Sequence, residues 1–482
     1  MRDQFFSARP IQCTLRAALI AALFSLCWGS DGWGGPLEDF LLENKQITID
    51  QWVRLKAEEE RRDAKAMEQS RGISDVPVKE RWYEKISIRG YTQLRYNFTP
   101  DNDLLSNSLG DRSIGKNNEF FMRRARLIVS GQPHDRVFVY LQGEFSGLVD
   151  NSEGTTVLRD AYADLFLTEN KAWRIRAGMS KVPFSFENLQ SSQNRLALDR
   201  TDPMNSAFPG ERNLGVFLYY TPTTVRERFR RLVDSGLKGS GDYGMVGIGV
   251  INGQAANKRD ANKNKHIVFH SSYPHEFSNG QIVEFGMDAY IGQVVVSAFP
   301  VVPVGTLNGI PSSPQLSNDG NYLDERVAWH VVVFPQPFGF QAEYNIGRGP
   351  QLNMARTAVE LGSLHGGYVQ LFYNYKCDTY CQNIFPYVRI QEYFGGRKLE
   401  ENAPRYSVRE TELGFEYQFN RALEFTVAYS WSQRTSESSA NLPITGPGAT
   451  TCALPGSLIG CTQTPYQLQS GNLLRFQLQW SF

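Results

Sequence analysis

From Lys85 to the last residue, side-chain polarity alternates with a period of two, in segments of about ten residues. The final segment sets Leu474, Phe476, Leu478, Trp480 and Phe482 on one face and Arg475, Gln477, Gln479 and Ser481 on the other. Residues 422–433 repeat the pattern, as do Val137–Gln142, Ala161–Thr168, Trp173–Arg176, Phe338–Ile346 and Leu413–Phe419. Successive side chains of an extended chain point to opposite faces, so each segment reads as a strand with one apolar and one polar surface. About ten residues is also the length at which a tilted strand crosses a bilayer. A soluble sandwich would alternate in the same way, so the pattern alone leaves two fold classes open.

The connections separate them. Sixteen strands can be placed between 85–98 and 471–482, and the links between them alternate in length. Short links fall at Gly131–Asp135, Glu169–Lys171, Phe277–Gly280, Pro335–Pro337, Cys377–Gln382 and Asn420–Arg421. Long links fall at 99–116, 183–212, 294–325, 395–407 and 434–470, and a single inner link, about 223–242, breaks the rule. Short turns on one side and long loops on the other are the asymmetry of an outer-membrane barrel. Closure removes the strand edges that lipid would leave unsatisfied. The expected fold is therefore all-β, a sixteen-stranded antiparallel transmembrane barrel. No run of 18 apolar residues occurs past the N-terminus, which excludes a helical bundle. A formal net charge of zero and six histidines argue against a nucleic-acid binder or a His-rich metalloprotein. No cofactor is expected.

The N-terminus assigns the compartment. Arg2, Arg9 and Arg16 lead into an apolar run, Ala17–Trp28, followed by small residues, the layout of a secretory signal peptide over 1–34 with cleavage near Gly32 or Gly34. Residues 35–82 read as a periplasmic helical segment: Thr48-x-x-Gln51 is a capping box, Trp52, Val53 and Leu55 form a short stripe, and Lys56–Glu68 is nearly all charged. A spacer or small oligomerising helix is the expected role, with the barrel occupying 83–482. Cys13 and Cys27 leave with the signal peptide. In an exported chain two close pairs, Cys377 with Cys381 and Cys452 with Cys461, read as two loop disulfides, and no histidine stands near either to make a zinc site.

Three places carry a resemblance to a known family. The first strand reads Ile88-Arg-Gly-Tyr-Thr-Gln-Leu-Arg-Tyr96 and the second Phe121-Met-Arg-Arg-Ala-Arg-Leu127. The most specific is Gly178-Met-Ser-Lys-Val-Pro-Phe-Ser-Phe-Glu187, continued by Ser191-Ser192, Asp199-Arg200 and Pro209-Gly-Glu-Arg212. Over about 85–482 the chain resembles the phosphate-selective porin O and P family. The resemblance implies a trimer of sixteen-stranded barrels that passes small anions in the outer membrane of a Gram-negative bacterium, among lipid and lipopolysaccharide.

Selectivity then has to be local, because residues 81–482 hold 39 basic and 37 acidic side chains. A net of this size selects nothing; which charges face the lumen decides. The link 183–212 is the third outer connection and is expected to fold inward as a constriction, with Lys181 at its entry, Arg195 and Arg200 within it and Arg212 at its exit. In the second strand the outward phase Ala125, Leu127, Val129 turns Arg124 and Arg126 into the lumen and leaves Arg123 toward lipid unless it lies near a rim. Guanidinium forks suit phosphate-like oxyanions. Wall ion pairs compete for the same arginines, with Glu144, Asp160, Asp164 and Glu187 as partners. The family's tight phosphate site implies a lysine directly after the glutamate of the constriction motif. An ungapped alignment puts Asn188 there, so weak phosphate discrimination is expected, with Asn188→Lys tightening phosphate block. The run Arg226–Arg231 reads as a solvated turn or lipid-proximal helix. A barrel enzyme lacks any Ser-His-acid arrangement. A general diffusion or carbohydrate pore is the serious alternative, since Tyr140, Tyr162 and Phe166 fall on the inward phase.

Overall fold

The computed structural model describes residues 85–100, 118–146, 156–297, 321–353, 358–377, 379–437 and 466–482. The chain divides into two units, Met1–Arg81 and Trp82–Phe482. The signal peptide and the helical segment expected at 35–82 lie outside the described residues. The second expected disulfide lies outside them as well, since neither Cys452 nor Cys461 is described.

Sixteen strands make one closed antiparallel sheet. They are β1 (Ile86–Phe98), β2 (Phe120–His134), β3 (Val137–Glu144), β4 (Val157–Phe166), β5 (Trp173–Lys181), β6 (Arg212–Tyr220), β7 (Val246–Ile251) and β8 (His266–Glu276). There follow β9 (Ile282–Val294), β10 (Tyr322–Val333), β11 (Phe338–Leu352), β12 (Val359–Tyr373, prolonged by Tyr375–Lys376), β13 (Asn383–Gly396), β14 (Arg405–Asn420), β15 (Leu423–Glu437) and β16 (Tyr466–Ser481). Each pairs with its sequence neighbours, and the ring closes from Tyr91 opposite Ser481 to Phe98 opposite Leu474. Two backbone hydrogen bonds between Gly90 and Phe482, 2.9 and 3.0 Å, finish the seam. A Cβ at Gly90 would sit 2.4 Å from the Phe482 ring and 2.5 Å from the Arg126 carbonyl, so the seam needs glycine there.

The barrel is apolar outside and polar inside, as the alternation requires. Leu127, Leu141, Leu165, Val216, Ile248, Ile390 and Leu413 are exposed on the outer face, while arginines, carboxylates and amides are buried toward the lumen. The main apolar core lies where the β5–β6 loop meets the wall. There Val182, Phe184, Ala207 and Phe208 pack on Phe217, Tyr219, Ile251, Val268, Tyr290 and Ala328. The barrel is a partly filled cylinder.

The short links occur where the sequence places them, and the first expected disulfide, Cys377 to Cys381, is formed in the β12–β13 turn. The irregular inner link, 221–245, holds an amphipathic helix, here α3 (Thr223–Asp234), after two single-turn helices in the β5–β6 loop, α1 (Phe186–Leu189) and α2 (Asp202–Asn205). Helix α3 buries Val225, Phe229 and Leu232. Its arginines face outward, Arg231 pairing with Glu276 at 2.6 Å and Arg226 with Asp242 at 3.5 Å. Leu232 packs with Phe186 of the inward loop and with Ile282, Val332 and Phe334 of the wall. Just beyond the helix, Lys238 pairs with Glu416 of β14 at 2.5 Å.

Candidate anion constriction

The loop 182–211 starts at β5 but is fastened to strands several places further round the ring. Ser185 N–H donates to Asp288 of β9 at 2.8 Å, and Phe186 and Glu187 N–H donate to the Glu343 carboxylate of β11 at 2.9 and 2.7 Å. Asp202 N–H donates to Gln391 Oε1 of β13 at 2.8 Å, and Asn345 Nδ2 of β11 donates to the Pro203 carbonyl at 3.0 Å. The loop therefore crosses the lumen. Ser185 (φ 77°) and Glu211 (φ 68°) mark its two ends in left-handed backbone, costing about 1–3 kcal/mol each and tolerated because these bonds over-determine the path.

Beside the loop lies a cavity of ≈ 660 Å³, lined by ten basic and four acidic side chains. Its charge is far more positive than that of the chain. Most of these cations are committed. Asp199 at the loop tip accepts from Arg95 and Arg475 at 2.7 Å each and from Arg123 at 3.1 Å. Burial opposes the Asp199 charge, but the three arginines outweigh it and hold the carboxyl well below the usual carboxylate range. Arg389 of β13 pairs with Glu187 at 3.2 Å, and Arg434 of β15 with Glu410 at 3.1 Å. Arg124, Arg159 and Lys258 make no ion pair among the described residues. Arg124 donates once, to Gln93 at 2.7 Å, and the buried Nε atoms of both Arg124 and Arg159 have no partner.

Two β-bulges put this charge inside. In β2, Arg124 sits opposite Gln93 and Met122 opposite Leu94, so Arg123 is the inserted residue. In β4, Asp160 faces Gln142 and Leu158 faces Gly143, so Arg159 is inserted. A bulge adds one residue and lets two neighbours share a face. This corrects the expectation for Arg123, which turns inward to Asp199 instead of toward lipid.

The other expected residues divide sharply. Arg126 is a wall residue, bonded to Glu144 at 2.6 Å, the Tyr91 hydroxyl at 2.6 Å and Ser192 Oγ at 3.3 Å. Arg212 pairs with Asp160 at 3.0 Å and Glu211 at 2.8 Å. Lys181 donates to the Leu189 and Gln190 carbonyls at 3.1 and 2.6 Å and lies 3.4 Å from Glu211. Arg195 donates to the Ala197 and Leu198 carbonyls, closing the loop on itself. Arg200 lines the cavity while bonding Glu211 at 3.1 Å and Asn188 Oδ1 at 3.2 Å. Asn188 is a buried fastener whose amide donates to the Phe184 and Met204 carbonyls at 3.3 and 3.0 Å, so it meets no solute. Arg95, Arg389, Arg434 and Arg475 escaped the sequence reading as a set, although each falls on the inward phase of its strand. Arg159 is hidden by its bulge. Its signal is a spacing of three between outward residues, Leu158 to Ala161, matched by Met122 to Ala125 in β2. Among the described residues no cluster of His, Cys, Asp or Glu could hold a metal ion.

The family model described as phosphate-selective porin O and P matches residues 93–452, most of the barrel. The chain belongs to that family. It is an outer-membrane channel of a Gram-negative bacterium and not an enzyme. Among solved structures it is similar to the outer-membrane channel DcaP of Acinetobacter baumannii, at 14% identity and a TM-score of 0.46 over 82% of this chain and 97% of that one. It is similar at 9% identity and a TM-score of 0.46 to the trimer form of OmpT of Vibrio cholerae, covering 82% of this chain and 99% of that one. An anion-selective porin from Comamonas acidovorans aligns at 8% identity and a TM-score of 0.41, covering 82% of this chain and 99% of that one. No curated protein matches the chain.

Proposed function

We propose that this porin passes small anions, phosphate among them, by sign of charge and with weak discrimination between them. The observation that carries the reading is the pair Arg124 and Arg159, one buried and one half-buried, neither paired with a carboxylate among the described residues, at a cavity already rich in basic groups. A charge in a narrow, low-dielectric lumen acts on a passing ion far more strongly than one on a surface. A guanidinium with donors left over can meet an oxyanion with parallel hydrogen bonds, and without a carboxylate beside it that charge is not neutralised locally. Tight phosphate recognition would need a further mobile cation at the loop, but Lys181 is tied to backbone carbonyls and Glu211, and Asn188 is neutral and buried. Phosphate is therefore expected to inhibit chloride current only at high concentration. A homotrimer seated among lipopolysaccharide completes the proposal.

The test is charge reversal in planar bilayers. Arg124→Glu with Arg159→Glu should move permeability strongly toward cations, while the same change at the wall pair Arg126 and Glu144, made together, should shift it little. Unchanged selectivity in the first variant would remove these arginines from the permeation path.

A further inference from the structure

On the inner wall, on the turn side of the constriction, one row of side chains crosses four strands. Strand register sets Ser87 of β1 opposite Ser130 of β2, Ser130 opposite Tyr140 of β3, and Tyr140 opposite Tyr162 of β4. All four fall on the inward phase, since the alternate positions Ile88, Val139, Leu141 and Leu165 are exposed apolar residues of the outer face. The two tyrosine rings stack at 5.1 Å with planes 12° apart. On the β5 side the stack ends in the Arg176 guanidinium, 3.9 Å from the Tyr162 ring and held by two hydrogen bonds to Asp164 at 2.7 and 2.9 Å. The result is a rigid plate of cation and two rings.

The next two positions of the row are serines, so about two strand spacings, roughly 9–10 Å, of wall carry no bulky side chain. Arg89, two residues along β1 from Ser87 and on the same inward phase, is exposed and makes no hydrogen bond or ion pair among the described residues. A planar ring stacked about 5 Å from Tyr140 would fill the first spacing and leave the second for a guanidinium.

Resting on the anion-channel reading above, we infer that this recess is a subsite for planar aromatic carboxylates, the ring lying on Tyr140 and the carboxylate meeting Arg89. The occupied recess would repeat in mirror order the sequence of cation and ring already built from Arg176 and Tyr162. A sugar fits less well. The Tyr140 hydroxyl is already committed to Gln142 Oε1 at 3.0 Å, and Arg89 calls for a negative charge that a neutral sugar lacks.

Benzoate and cyclohexanecarboxylate, equal in charge and close in size, separate stacking from charge when each is titrated into the chloride current from the periplasmic side. Benzoate should block more strongly than its saturated counterpart. Tyr140→Ala should weaken benzoate block by roughly threefold to tenfold relative to cyclohexanecarboxylate. Tyr140→Phe should retain the difference, and Arg89→Gln should weaken benzoate block. Equal block by the two acids, benzoate block indifferent to Tyr140→Ala, or maltodextrin block abolished by Tyr140→Ala would each overturn the assignment. A wild-type reversal potential without anion preference would instead defeat the underlying channel reading, whatever the two acids do. Faster gel migration before heating checks that each variant is an assembled barrel.

Discussion

Within this lumen an arginine is either committed to a carboxylate or available to a solute, and its strand neighbours decide which. Arg126 and Arg124 stand two residues apart on β2, yet one is held by Glu144 and Tyr91 and the other by a single amide. The same accounting applies to the loop carboxylates. Burial opposes ionisation at Asp199 and Glu211, but Arg95 leads the groups that hold Asp199 down and Arg200 those that hold Glu211 down, so both titrate well below their usual range. A depressed carboxyl contributes stability above its unfolded pKa and loses it only as pH falls through the lower folded value. These two carboxyls should therefore keep their charge, and their share of conductance and selectivity, from pH 7 down to about pH 4, near the unperturbed carboxylate values. An effect of Asp199→Asn on selectivity that fades as pH falls to about 5 would contradict these pairings. Asn188 changes its expected outcome once its surroundings are known. In Asn188→Lys an ammonium would enter a buried site 3.2 Å from Arg200 and displace two carbonyl contacts. The cost of an unpaired buried charge is about 3–5 kcal/mol. The variant should lower the temperature at which the assembled form dissociates on gels, and tighter phosphate block with unchanged heat resistance would show that the loop opens at this point.

At the scale of elements, the constriction is built by two inward segments that support each other. Loop 182–211 and the 221–245 link share an apolar cluster through Phe186 and Leu232, and Gln190 Nε2 donates to the Lys238 carbonyl at 2.6 Å. Leu232→Ala should cost about 2–5 kcal/mol, as for other buried leucines, and should appear as increased open-channel noise from a loosened loop. Quiet wild-type-like traces would mean that the wall bonds alone hold the loop. Period-two alternation and the asymmetry of link lengths were enough to read sixteen strands and their order, because both follow from local geometry and the bilayer. The unusual link at 221–245 was visible as an exception in length, but its helix packs against residues distant in sequence. Arg123 and Arg159 lay beyond a strict alternation because a bulge shifts phase by one. Pairing partners such as Asp199 for Arg95 and Arg475 depend on where a loop tip lands, and periodicity carries no information about that.

At the scale of the whole molecule, a chain with zero formal charge encloses a cavity where basic groups outnumber acidic ones ten to four. The sorting is done by closure. Alternation sends apolar residues to lipid and polar ones inward, and the inward loop brings the constriction to one side of the lumen. The most direct test of this account is the zero-current potential of single wild-type channels in a tenfold KCl gradient at neutral pH. The prediction is a potential whose sign reports chloride as the more permeant ion, reduced when both Arg124 and Arg159 are changed to glutamate. A potential near zero, or one of cation-selective sign in the wild type, would contradict it.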